Sequence, residues 1–189
     1  MTLVRFKGAN HPQQVAKHGA REDVDARATD PAVFQLFHAR FGFTIDVAAT
    51  SANTKCERFF TKEQNGLALS WANERVWCNP PYSAIGDWVR KAWTEWSSDA
   101  PPRLIVMLLP ANRTEQAWWQ DFVEPFRDGG GDLRVEFIRG RTRFVRSDRR
   151  HIGPNERPPF GCCLCIWQRA PFPSDLLVQR TLPAAGGLS

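Results

Sequence analysis

Leu104–Leu109 (LIVMLL) is an uninterrupted apolar run of strand length closed by Pro110, and it restricts the fold more than any other segment. A strand that meets water on one face alternates apolar and polar residues. A strand without alternation must be covered on both faces, as the inner strands of a helix-flanked parallel sheet are. Arg75–Cys78 (RVWC) and Phe43–Ala49 (FTIDVAA) have the same character, the second broken only by Asp46 near its C-terminal end.

The segments around these strands are helical in pattern. Ile85, Trp88, Val89, Ala92, Trp93 and Trp96 recur at i, i+3, i+4, i+7, i+8 and i+11, a single helical stripe, so these tryptophans read as core. The run TDPAVFQLFHARFGF from Thr29 offers a capping residue and a proline in the first turn. Val33, Phe34, Leu36, Phe37 and Phe41 then follow at helical spacing, and Gly42 ends the helix. Asn112 with Glu115 reads as the cap of a further helix lined by Trp118, Trp119, Phe122, Val123 and Phe126. Asp128–Gly131 reads as a loop. Leu133–Phe144 and Phe160–Trp167 are strand-like and joined by a polar connection, which predicts an antiparallel pair.

Together these predict a Rossmann-like α/β domain over 29–169, with a mostly parallel sheet and an antiparallel C-terminal strand pair. A loosely ordered arm (1–28) is expected before it and a Pro/Gly/Ala-bearing tail (170–189) after it.

No apolar run approaches the roughly 18 residues of a membrane helix, and the first twenty residues lack a signal peptide's apolar stretch. A cytoplasmic protein is the expectation. The five cysteines are an odd number, and Cys162, Cys163 and Cys165 share one apolar run whose spacing suits neither zinc nor a disulfide framework. They are expected to be reduced and buried. His38 and His151 read as surface or packing residues, and no metal site is expected.

The net charge of +5 is compatible with a polyanionic partner without establishing one. Its distribution says more. Arginines 134, 139, 141, 143, 146, 149, 150 and 157 share a span whose acids are Glu136, Asp148 and Glu156. On one strand Arg139, Arg141 and Arg143 would share a face, a stripe suited to phosphates. The competing reading is a solvated edge strand guarded by charge.

Asn79-Pro80-Pro81-Tyr82 follows directly on the RVWC strand, and the Asp46 strand also ends at a candidate site, where sheets of this class hold ligands. An amino group conjugated to a ring, such as N6 of adenine, is a poor nucleophile because its lone pair is delocalised. Acceptors on both of its hydrogens draw the nitrogen toward tetrahedral geometry, and the Asn79 side-chain oxygen and the Pro80 carbonyl suit that task. The prolines keep those acceptors rigid, and Tyr82 offers a ring on which an extruded base stacks. A plain strand-ending turn is the alternative. Against it, Tyr82 is the single tyrosine beside thirteen phenylalanines, and paired prolines are an odd choice for packing alone.

Thr29–Phe144 resembles the phage-type DNA N-6-adenine-methyltransferase family in five ordered blocks covering about three-fifths of the chain. The blocks are TDPAVFQLFHARFGFTIDVAAT, SANTKCERFFTKEQNGLALSW, VWCNPPYSAIGDWVRKA, LLPANRTEQAWW and EFIRGRTRF. The resemblance implies transfer of the methyl group of S-adenosylmethionine to N6 of adenine in DNA. It makes Asn79, Pro80, Pro81 and Tyr82 the catalytic loop, and Asp46 with Ala48 and Ala49 the loop that receives the cofactor. Thr29 to Pro31 becomes the segment that approaches the cofactor's methionine end. Asn65 stands beside Gly66-Leu67 where relatives are expected to carry aspartate, and its amide keeps a donor and an acceptor for the cofactor adenine.

Asn53 is grouped with the cofactor loop, and Arg113 joins Arg139, Arg141 and Arg143 as a candidate DNA contact. The Gly-x-Gly of most methyltransferase cofactor loops is absent, though S-adenosylmethionine carries no phosphate to cradle. Asp46 has loop capping as its competing role, and Asn53, Lys55 and Asn65 have turn chemistry. Alternatives are an RNA adenine-N6 or protein-glutamine methyltransferase, or a catalytically silent DNA-binding module of the same fold. The sequence does not specify an oligomeric state.

Overall fold

A computed structural model describes residues 28–127, 131–140, 142, 144–145 and 160–169. The remainder of the expected arm and tail, His151, Arg141 and Arg143 lie outside the described residues. Ala28, expected in the arm, already belongs to strand β1 (Ala28–Thr29), which leads into helix α1 (Pro31–Phe41). The ends of α1 are set locally. The Asp30 carboxylate accepts the Ala32 amide at 2.8 Å, Pro31 takes a position where an amide is not needed, and Gly42 exits at φ 59°. Phe34 and Phe41 are buried, but Leu36 is 72% exposed and does not belong to the expected stripe. It lies two residues from Phe34, about 200° around the helix and so on the opposite side.

Six strands form the main sheet: β2 (Ile45–Asp46), β3 (Arg58–Phe59), β4 (Arg75–Cys78), β5 (Leu104–Pro110), β6 (Leu133–Phe137) and β8 (Cys162–Trp167). Their order is β3-β2-β4-β5-β8-β6. The first four are mutually parallel, and β8 runs antiparallel between β5 and β6. This is a Rossmann-like sheet with the expected antiparallel C-terminal pair.

The expected long strands are shorter. Phe43–Ala49 keeps only β2 as strand, because the chain bends at Val47 and Ala48, where the Ala48 amide bonds the Asp46 carboxylate. Leu133–Phe144 is not one strand either. It stops at Phe137, bends through Gly140 at φ 82°, and resumes as β7 (Phe144–Val145), which pairs antiparallel with β1 in a separate ribbon.

Side-chain alternation sends each strand's residues into two cores. Val76, Cys78, Ile105, Met107, Leu109, Cys163, Cys165 and Trp167 pack under helices α2 (Ile85–Trp96) and α3 (Ala117–Phe122). Trp77, Val106, Leu108, Cys162, Leu164 and Ile166 pack under α1. All seven residues of β5 are buried, as the unbroken apolar run requires. The α2 stripe is buried at Ile85, Trp88, Val89, Ala92 and Trp96. For α3 the expected Asn112/Glu115 cap is not formed: residues 113–116 make a turn closed by the Gln116 amide on the Arg113 carbonyl at 3.2 Å, and the helix starts at Ala117 without a side-chain cap. The cysteines are free thiols, four of them buried. No helix among the described residues is long and apolar enough to cross a membrane, and no group of three potential ligands among them is arranged to hold a metal.

Candidate active site

From β2 the chain lays down β3 on one side and then crosses back to build β4 and β5 on the other. The connections leaving the carboxyl ends of β2 and β4 therefore diverge, which makes this the switch point where open α/β sheets hold ligands. Asp46 ends β2 and pairs in register with Trp77; Asn79 follows Cys78 at the end of β4. Two segments 33 positions apart thus flank one switch point.

Asp46 is only 3% exposed, and its carboxylate accepts the Ala48 amide at 3.3 Å and the Lys55 amide at 3.1 Å. Burial pushes its pKa up to about 6, with those two amides and the nearby Lys55 charge pulling it back. The capping role weighed for Asp46 is therefore present, and it leaves carboxylate lone pairs uncommitted. Ala49 is tied to the strand ends by its amide on the Phe60 carbonyl at 3.1 Å. Asn53 closes a turn, its side-chain oxygen accepting the Thr50 amide at 2.7 Å. Lys55 is half-buried, and its desolvation lowers its pKa against the opposing pull of Asp46 and Asp30.

The loop after β3 is laid on the exit of β2 by a glycine. Asn65 is exposed, adopts φ 57°, and accepts the Leu67 amide at 3.3 Å, which is turn chemistry. At Gly66 a Cβ would sit 2.2 Å from the Val47 carbonyl oxygen and 3.1 Å from the Trp88 ring, so only glycine permits this approach. The Trp71 indole donates to the Gly66 carbonyl at 3.0 Å, and the Trp71 amide donates to buried Glu95 at 2.8 Å. Glu95 is held in turn by Lys91 at 2.6 Å.

On the other wall, Pro80 is buried and Asn79, Pro81 and Tyr82 are half-buried. The Tyr82 ring lies edge-on to Phe144 at 6.2 Å and tilted against Phe160 at 5.9 Å. Its hydroxyl points into the protein, buried beside the Cys162 thiol and without an aligned hydrogen-bond partner among the described residues. Burial holds that phenol well above its ordinary range. Phe144 pairs with Thr29 in the β1–β7 ribbon, which brings the N-terminal segment to Tyr82. The Thr29 side chain is 1% exposed and its hydroxyl finds no partner among the described residues, while Pro31 is exposed at the start of α1.

Arg113 is half-buried and acts electrostatically on the Tyr82 hydroxyl. Arg139 is exposed in the bend before Gly140, so the strand that was to align it with Arg141 and Arg143 is not continuous there. Gly66, Phe144, Phe160 and Cys162 are absent from the sequence-based site. The Asn65-Gly66 dipeptide is a local turn signal for one of them. The others are brought in by topology, which leaves no local trace.

The family model of DNA N-6-adenine-methyltransferase (Dam) matches residues 17–180. A DNA N-6-adenine-methyltransferase of Escherichia phage T1 is 34% identical over 119 residues, 62% of this chain and 45% of that protein. A protein of the same name from Haemophilus phage HP1 (strain HP1c1) is 36% identical over 91 residues, 47% of this chain and 51% of that protein. The chain spans about half the length of these curated relatives.

Proposed function

Because the chain belongs to the DNA N-6-adenine-methyltransferase family, we propose that it transfers a methyl group from S-adenosylmethionine to N6 of adenine in DNA. Membership in a methyltransferase family implies a methyl donor, and S-adenosylmethionine supplies an electrophilic methyl on a sulfonium. The observation that carries the reading is the convergence of Asp46 and Asn79-Pro80-Pro81-Tyr82 on the two sides of the sheet's switch point.

The residues present fit such a donor. Gly66 keeps the exit of β2 free of a side chain where Val47 passes, Ala48 and Ala49 are small, and Asp30, Asp46 and Lys55 supply charge for an amino-acid moiety. Thr29, Pro31, Asn53 and Asn65 border this half and belong to the proposed donor site.

On the opposite wall Asn79 and the Pro80 carbonyl accept the two hydrogens of the adenine amine, which frees its lone pair as positive charge develops. The half-buried Tyr82 ring takes the extruded base, using its aromatic surface and not its inward hydroxyl. Arg113, Arg139, Arg141 and Arg143 carry DNA phosphate contacts.

Incubation with tritiated S-adenosylmethionine and duplex DNA, single-stranded DNA or RNA tests the reading. Label recovered as N6-methyladenine from DNA is expected. Label in RNA alone, or in protein, overturns the substrate; no label in any polymer while the donor binds indicates a silent module.

A further inference from the structure

Among the described residues Lys55 has no ion-pair partner. Its backbone amide is fixed on Asp46, which anchors the residue at the carboxyl end of β2, and its side chain is half-buried. The two acids that influence it, Asp46 and Asp30, act from beyond ion-pair distance, and each already accepts a backbone amide. Asp46 spends an oxygen on each of two amides, and Asp30 caps α1. Among the described residues no carboxylate lies within ion-pair distance of the Lys55 ammonium, and no acceptor takes its hydrogens. Desolvating an ammonium in this way is costly unless an anion completes the site.

We propose that Lys55 anchors the carboxylate of the methionine moiety of the methyl donor, a role that rests on the donor site proposed above. The charge balance supports it. With Asp46 ionised, two carboxylates and one ammonium give a single net negative charge, the complement of the single net positive charge of S-adenosylmethionine. Within that balance the donor's carboxylate has one cation to meet, and its own ammonium faces Asp30 and Asp46. The loop that carries Lys55 is stiff enough for the purpose. The Thr54 amide bonds the Thr50 carbonyl at 3.0 Å, and the Thr54 hydroxyl bonds the Cys56 carbonyl at 2.8 Å.

Calorimetry on the whole chain with three probes tests the anchor: S-adenosylhomocysteine, its decarboxylated analogue, and 5′-methylthioadenosine, which lacks both charged groups. Lys55→Met keeps the aliphatic stem and the backbone amide, and Lys55→Gln serves if that variant is unfolded by circular dichroism. Loss of a charge-assisted hydrogen bond is expected to weaken S-adenosylhomocysteine about tenfold or more. The two probes without a carboxylate should bind within about twofold of the parent, and Lys55→Arg should recover most of the loss. Unchanged affinity for S-adenosylhomocysteine, or an equal loss for all three probes, overturns the anchor while the donor site stands. A parent that binds none of them overturns the donor site, and the anchor with it.

Discussion

Tyr82→Phe separates the ring of Tyr82, the proposed base-stacking surface, from its hydroxyl. Its hydroxyl is buried with no aligned partner among the described residues, and the neighbouring Cys162 thiol is only a weak donor or acceptor. An unsatisfied buried hydroxyl costs about 1–3 kcal/mol, partly offset here by the thiol, so its removal should stabilise the fold by about 1 kcal/mol. For a chain of this size that is a rise in Tm of roughly 2–4 °C.

The ring is kept, so kcat and kcat/KM for DNA should stay within about twofold of the parent. Burial holds the phenol well above its ordinary range, so its ionisation does not contribute near neutrality and the pH profiles of parent and variant should superimpose. Tyr82→Ala removes the stacking surface, worth roughly 1–3 kcal/mol, and should lower kcat/KM about 5–150-fold. Thermal melts and initial rates with tritiated donor measure both. A tenfold loss of activity in Tyr82→Phe would refute the inward-facing hydroxyl and give it a contact with substrate.

Asn79→Ala should depress the single-turnover rate more than donor affinity, because its acceptor matters most as charge develops on the amine; a rise in KM with kcat unchanged would make Asn79 a binding residue. Gly66→Ala forces a Cβ to 2.2 Å from the Val47 carbonyl, and a cost of at least about 1–3 kcal/mol with weakened donor binding is expected in denaturant melts and calorimetry. In contrast Gly86→Ala, whose Cβ meets the Trp118 side chain at 3.4 Å within α2, should be neutral or stabilising. Asp46, with its pKa raised from 3.8 to about 6, favours the protonated fold, so its stabilising contribution is full below about pH 4 and lost as pH rises through about 6. Asp46→Asn should remove that component, and denaturant midpoints at pH 4.5 and 7.5 that fall in parallel for parent and variant would exclude it.

What the sequence revealed and concealed follows from how local each signal is. Leu104–Leu109 was legible because a strand without polar alternation has one solution, burial on both faces, and β5 is buried throughout. The α2 stripe was legible for the same reason, since one period fits it. Leu36 misled because an apolar residue on an exposed helix face carries no mark of its exposure. The sequence pattern joins Phe144 to Leu133 in one strand, but its partner is Thr29, more than a hundred positions away, and a two-residue pairing has no periodicity to read. In the site, Asn79 to Tyr82 stood out because the four residues are contiguous and follow a buried strand. For Lys55 the sequence leaves turn chemistry and ligand contact both open, because its neighbours, Asp30 and Asp46, come from separate elements.

Those separations explain how the two walls are held together. Tyr82 packs against both hydrophobic cores, so the loop from Asn79 to Tyr82 sits where the α1 layer and the α2 layer meet around the end of β4. The ribbon of β1 and β7 is two residue pairs long, too short to be stable by itself. Its cohesion comes from burying Phe144 among the α1 core residues and against the Tyr82 ring. Thr29 is thus positioned through a phenylalanine that rests on the Tyr82 ring. Removing the Tyr82 ring withdraws support from both walls at once, whereas removing its hydroxyl withdraws it from neither. Phenylalanine is for that reason the substitution that tests the Tyr82 hydroxyl alone, and alanine the one that removes the stacking surface and this support together.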